Sequence, residues 1–255
     1  MNGVDEKGVD GDGIVLRALD FGADAASMIA VITGVLALAV VVVSRPWRFA
    51  RNVVTIVHEA GHALFALLAG RRLQGIRLHS DTSGVTVSKG RPTGPGMVLT
   101  ALAGYPAPAL LGVVFAWLVS AERLSVVLGI AAVLLLGVLV MVRNAYGIFS
   151  VVLSAMVLGG IALFAGPAVQ AAFVYLITWF LLFGAIRPLF ELQMKRRRGA
   201  ARDSDIDQLA RLTALPAMLW LFVVGVLSVT CVVAGGMLLI EPALAPTDVF
   251  TATTE

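Results

Sequence analysis

Hydrophobic residues fall in long, nearly unbroken runs along this chain, at about 27–43, 52–69, 97–119, 124–142, 148–165, 169–189 and 215–240, separated by short polar breaks. Runs of about 17–25 apolar residues match the length of a helix crossing a bilayer. They lack period-two alternation, and only helices or closed barrels satisfy the backbone in lipid, so the pattern predicts an all-α polytopic membrane bundle. About seven transmembrane helices are expected, with six to eight compatible because short neighbouring runs merge or split. One stretch has a different period. Between 73 and 88, Ile76, Leu78, Val85 and Val87 alternate with polar residues on either side of an Asp81-Thr82-Ser83-Gly84 turn, which predicts a small β-hairpin. An isolated hairpin is marginal in water, so it is expected to lie against the bundle with an edge free to pair with an extended peptide.

The breaks define the rest. Residues 1–25, polar and without the basic region of a signal peptide, read as a flexible tail, 26–240 as a single integral-membrane domain, and 241–255 as a short acidic tail. Ser44-Arg45-Pro46-Trp47-Arg48 reads as a basic and aromatic interfacial anchor. Arg91-Pro92-Thr93-Gly94-Pro95-Gly96 is a breaker cluster, and Pro106 and Pro108 must bend or interrupt the third run, either as a packing kink or as irregular backbone lining a site. Residues 195–207 form a long basic loop containing Asp203, Asp205 and Asp207.

With 59% hydrophobic and 14% charged residues in 255, the composition excludes an ordinary soluble domain. The net charge of +3 comes largely from Arg and Lys clusters at the ends of apolar runs, which suits a membrane surface and not nucleic acid. Arginines follow both the first and the second run, so charge asymmetry gives conflicting votes on orientation. The expectation adopted places the hairpin and the 195–207 loop in the cytoplasm, which requires one run not to span fully. Cys231 is the sole cysteine, so no intramolecular disulfide and no cysteine-rich metal cluster can form.

The second run contains three polar residues that are costly in lipid: His58, Glu59 and His62, in His58-Glu59-Ala60-Gly61-His62. On a helix, residues four apart project from one face, so the two histidines can hold one metal ion between them. Glu59, about 100° round, lies where a carboxylate can serve a water without being a ligand, the arrangement of H-E-x-x-H zinc hydrolases. A lone histidine on an apolar face is more often core packing; the pentad in this setting is read as a metal site in preference to that. Catalytic zinc takes three protein ligands, and the inventory for the third is short. His79 lies on the hairpin, Cys231 lies deep in the last run, and Asp203, Asp205 and Asp207 form the densest acidic cluster. Ser204 followed by Asp207 is a capping-box-like helix start that claims Asp207 as a capping partner. Asp205 is therefore favoured as the distant ligand, with Asp207 as the alternative.

These residues, together with Leu78-His79-Ser80-Asp81-Thr82-Ser83-Gly84-Val85-Thr86, Ala103-Gly104-Tyr105, Arg143-Asn144-Ala145-Tyr146-Gly147 and Ser204-Asp205-Ile206-Asp207, resemble the site-2-protease-like zinc metalloproteases. More closely they resemble the small multi-span "peptidase B-like" bacterial branch, over roughly residues 50–240. The resemblance implies one Zn²⁺ held by His58, His62 and a distant Asp, with Glu59 as general base. It implies intramembrane cleavage of a membrane-protein substrate with a transmembrane segment, such as an anti-sigma factor, in regulated proteolysis at the bacterial cell membrane. Gly84, Val85 and Thr86 of the hairpin, with Gly104, Tyr105 and Asn144, are the residues expected to meet substrate. The chain departs from the wider family in lacking a Leu-Asp-Gly triplet, and Ala103-Gly104-Tyr105-Pro106 stands where that family carries Gly-Pro-x-x-Asn.

Two other readings compete. A catalytically inactive homologue, or a metal-binding membrane protein acting as a helix-binding scaffold, would keep the histidines without needing Glu59 as a base. A transporter would spread polar residues through several runs or show internal repeats, and the sequence has neither.

Overall fold

A computed structural model describes the backbone of residues 11–199 and 204–244 and the side chains of 27–199 and 204–240. The tail up to residue 10, the tail from 245, and residues 200–203 of the basic loop, Asp203 among them, lie outside the described residues. All seven apolar runs are helical. The helices are α1 (Gly11–Val42), α2 (Ser44–Leu68), α3 (Pro95–Leu102), α4 (Ala107–Ser120), α5 (Leu124–Met141), α6 (Ala145–Phe164), α7 (Pro167–Gly184), α8 (Arg187–Arg197), α9 (Asp205–Thr213) and α10 (Ala217–Leu244). Strands β1 (Arg72–Leu78) and β2 (Gly84–Lys89) form the antiparallel hairpin between α2 and α3.

The span count is lower than the seven expected. Four segments are long and apolar enough to cross a membrane: α5, α6, α7 continued through α8, and α10. The total rises to six if each of two bent pairs counts as one crossing, α1 with α2 at 101° and α3 with α4 at 69°. The physical reason lies in α2. Arg45, Arg48, Arg51, His58, Glu59 and His62 make it amphipathic, a helix that needs a protein partner for its polar face. The α3–α4 break falls at the expected prolines, with Pro108 in the first turn of α4, where a missing N–H costs nothing. Two further boundaries differ from expectation. Helix α1 begins at Gly11, inside the stretch expected to be a tail, because Leu16-Arg17-Ala18-Leu19 are good helix formers joined to the first run. The basic loop is short, because Lys195, Arg196 and Arg197 form the last turn of α8, where cations complement the helix dipole.

The α1–α2 bend is held by charges from α8. The Arg187 guanidinium donates to the carbonyls of Val41 and Val42 at the C-terminus of α1, the latter at 2.9 Å. Glu191 accepts from Trp47 Nε1 at 2.8 Å and pairs with Arg51 at 3.3 Å and Arg187 at 3.2 Å. Trp47, expected at the interface, is instead 1% exposed, with Arg187 5.0 Å above its ring.

Three apolar clusters place the functional elements. The largest joins α1, α4, α7 and α10 around Phe115, Trp179, Leu181 and Leu182. A second sits under the hairpin, where the inward residues Ile76 and Leu78 meet Ile56, Ala63, Val138 and Val151, while Val85 and Val87 face outward. A third packs Ile206 and Leu209 of α9 against Leu189 and Leu192 of α8 and Ala101 of α3, which fixes the start of α9. The outer edge of β1 is occupied. Arg143 N–H donates to the Ile76 carbonyl at 2.9 Å, and the Asn144 amide both accepts from Leu78 N–H (3.1 Å) and donates to Leu78 O (2.6 Å). Among the described residues the edge of β2 has no strand beside it.

Candidate metal centre

Helical spacing on α2 brings the two histidines together as expected, with Nε2 of His58 and Nε2 of His62 3.1 Å apart. Helix α9 supplies the third group. Its N-cap, Ser204, accepts from Asp207 N–H, and the buried Ile206 and Leu209 set the helix phase so that Asp205 points at the histidines. Asp205 Oδ2 lies 3.1 Å from His58 Nε2 and 3.2 Å from His62 Nε2. Burial alone would raise the Asp205 carboxyl, but the charge of His62 and the hydrogen bonds of both histidines hold it well below the usual carboxylate range.

The donor set fits a tetrahedral metal ion. Donors at about 2.0–2.1 Å from such an ion lie about 3.3–3.4 Å from one another, close to the triangle observed here, and all three donor atoms fall within 4.8 Å of one another. The electrostatics argue the same way. His62 Nδ1 lies 2.7 Å from the Thr100 carbonyl, which can only accept, so this nitrogen carries the proton. The Nε2 of His62 then faces an Asp205 oxygen, a pairing that a cation between them, a proton or a metal ion, satisfies. The Thr100 carbonyl orients the ring as outer-shell groups commonly do for ligating histidines.

Asp207, two residues on, is otherwise engaged. The Ser204 hydroxyl donates to it at 2.5 Å and Arg196 pairs with it. Burial acts to raise its carboxyl, but Ser204 and Arg196 outweigh this and hold it below the ordinary range. Among the other donors weighed from sequence, His79 is at the hairpin turn beside Ser83, and Cys231 is buried in α10.

Glu59 is 2% exposed, and its Oε2 accepts from the Thr86 hydroxyl at 2.6 Å. Gly84 is pressed against the same carboxylate: a Cβ there would come within 2.4 Å of Glu59 Oε1. Of the residues expected to meet substrate, Gly84 and Thr86 therefore shape the surroundings of Glu59, and Val85 alone of that trio faces outward. Gly104 lies on the histidines, where a Cβ would stand 2.2 Å from His62 Nε2. Tyr105 sets its ring edge against His58 at 4.9 Å. Asn144 ties the hairpin down through Leu78. Gly61 of the pentad admits the α3–α4 break, since a Cβ there would meet Ala103 O at 2.7 Å.

Sequence reasoning did not foresee two of these partners. The Thr100 carbonyl has no sequence signal, because any residue supplies one. Thr86 was singled out, but as a substrate contact, because a pairing between a strand and a helix has no fixed spacing. No curated protein and no solved structure matches the chain. A family described as Peptidase M50B-like matches residues 31–235, which include α2, the hairpin and α9. With most of its length and all of His58, Glu59, His62 and Asp205 inside that match, the chain belongs to the Peptidase M50B-like family, a site-2-protease-like group.

Proposed function

We propose that this protein is an intramembrane zinc metalloendopeptidase that cuts peptide bonds in membrane-embedded protein substrates. The observation that carries the reading is the convergence of His58, His62 and Asp205 donor atoms at 3.1–3.2 Å, with the buried Glu59 on the adjacent face of the same helix. His58, His62 and Asp205 hold the ion. When bound, zinc supplies Lewis acidity that polarises a peptide carbonyl and lowers the pKa of water. Glu59 takes a proton from the attacking water and returns it to the leaving amine. The Thr86 hydroxyl fixes the direction of the Glu59 carboxylate, and Gly84 leaves room for it. Tyr105 and Gly104 pack against the histidines and limit how their rings can turn.

Substrate must unwind to present a peptide bond, and the open edge of β2 is the surface suited to an extended segment, since β1 is already bonded on both sides. Strand addition there would bring a backbone alongside Gly84 and Thr86, next to Glu59.

The test is zinc content together with cleavage of a model transmembrane substrate by purified wild type, Glu59→Gln and His58→Ala. Wild type should hold about one zinc per chain and cut. Glu59→Gln should keep the zinc and lose cleavage, and His58→Ala should lose both. Cleavage retained in Glu59→Gln, or wild type without zinc, would refute the proposal.

A further inference from the structure

A cavity of about 460 Å³ lies between α2, α4, α5, α6 and α7. It is separate from the donor cluster: none of His58, Glu59, His62 or Asp205 lines it. Its walls are almost wholly apolar, with Ile56, Phe115, Leu135, Phe149 and Phe173 among them, and its volume falls in the range of small-molecule sites. The few polar lining groups are mostly engaged with protein. Asn52 donates to the Tyr146 hydroxyl at 2.9 Å, and the Ser154 hydroxyl donates to the Ser150 carbonyl at 2.9 Å. In a bilayer such a space takes up hydrocarbon.

A second observation names the head of the occupant. Phe49 and Asn52 form the end of the α2 wall. One helical turn before each, on the same face, stand Arg45 and Arg48. Both are exposed, and among the described residues neither forms an ion pair, whereas Arg51 on the neighbouring face is held by Glu191 at 3.3 Å. Two unpaired guanidiniums therefore extend the line of an apolar cleft, a pairing that matches a phosphate ester joined to an acyl chain. Basic pockets between membrane helices bind anionic lipid headgroups for this reason.

We propose that this cleft is a binding site for an anionic phospholipid, one acyl chain lying between α2, α5 and α6 and the phosphate resting on Arg45 and Arg48. The site would tie the pentad helix to the lipid composition of the membrane, because α2 forms both its wall and its cationic end. It does not depend on the peptidase reading.

The experiment is native mass spectrometry of full-length protein released from nanodiscs of equimolar phosphatidylglycerol and phosphatidylcholine. Each arginine beside an anionic headgroup favours it by roughly fivefold, so the pair should favour retained phosphatidylglycerol by roughly 30-fold. Arg45→Gln/Arg48→Gln should bring the two lipids to near parity, and Ala131→Phe, which fills the cavity wall, should lose retained lipid of both kinds. A melting curve for each variant establishes that it is folded, and Ser154→Val serves as a second lining variant should Ala131→Phe fail to fold. Equal retention of both lipids by wild type would overturn the proposal. So would undiminished retention in folded lining variants, which would mean that the lipid sits elsewhere. If those variants keep their lipid but lose binding of a transmembrane substrate peptide, the cleft serves substrate and the lipid proposal fails.

Discussion

Gly104→Ala is the substitution whose consequence the geometry fixes most tightly. Gly104 lies in the break between α3 and α4, and an added Cβ would stand 2.2 Å from His62 Nε2, 2.5 Å from His62 Cε1 and 2.7 Å from His58 Cε1. Contacts under 3.0 Å are not sustained, so the break or the histidines must give by about 0.8 Å. The His62 ring has little room to retreat, because its Nδ1 is bonded to Thr100 O at 2.7 Å and Gly61, the residue before it, is already against Ala103. The donor triangle should open and the methyl group should occupy space beside the two Nε2 atoms. Overpacking of this kind costs about 1–3 kcal/mol of stability, and a displacement near 1 Å at a reacting centre costs about 100-fold in rate. The assay pairs zinc content and chelator competition with turnover of a model transmembrane substrate, alongside a melting curve. Gly137→Ala in α5 is the control, since nothing lies within 4 Å of a Cβ there and the change should be neutral or stabilising by up to about 1 kcal/mol. Wild-type zinc affinity and turnover in folded Gly104→Ala would refute the reasoning.

Three further outcomes are expected. Asp205→Ala should weaken zinc by more than about 100-fold, since even outer-shell partners cost 10–100-fold, whereas Asp207→Ala should keep zinc and lose about 1 kcal/mol through the weakened start of α9; chelator titration and melting of both variants separate the two roles. Thr86→Val should lower kcat with little change in KM or zinc content, and Thr86→Ser should restore it, because the hydroxyl alone orients Glu59; a wild-type kcat in Thr86→Val would refute that role. Glu191→Ala should cost about 2–4 kcal/mol in reversible detergent unfolding, because it removes the carboxylate that Arg51 and Arg187 share and leaves the buried Trp47 Nε1 without an acceptor.

What was legible in the sequence is what depends on neighbours a few residues apart. All seven apolar runs are helices, the alternation at 76–78 and 85–87 is a hairpin, and Pro106 and Pro108 interrupt a helix, because each follows from a local period or a missing N–H. The histidine pair is equally local. The choice of Asp205 over Asp207 also came from local rules, since the Ser204 cap engages Asp207 and helix phase turns Asp205 another way. The expected count of about seven spans is not confirmed, and the upper count of six meets only the low end of the expected range, where packing between elements distant in sequence decides. The polar break and Pro46 at 44–48 announce an interruption but not its angle, because the groups that hold the bend, Arg187 and Glu191, lie on α8, and Trp47 follows them inside instead of staying at an interface.

The same division runs through the candidate site. His58, Glu59 and His62 cost free energy wherever an apolar helix places them, so they stand out in the sequence. The groups that surround and orient them, Thr86, Thr100, Gly84 and Gly104, are cheap residues in ordinary positions. Their contribution is a hydroxyl, a carbonyl or an absent side chain held within about 3 Å by elements that are distant in sequence. A second polypeptide with the same pentad and the same Asp, but with Ala at 84 and 104, would keep every residue that a motif search reads. It would nevertheless push one methyl group into the Glu59 carboxylate and another into the two histidines. Within this fold, Gly84 and Gly104 are therefore as necessary to the observed arrangement of Glu59, His58 and His62 as the helical spacing of the pentad is.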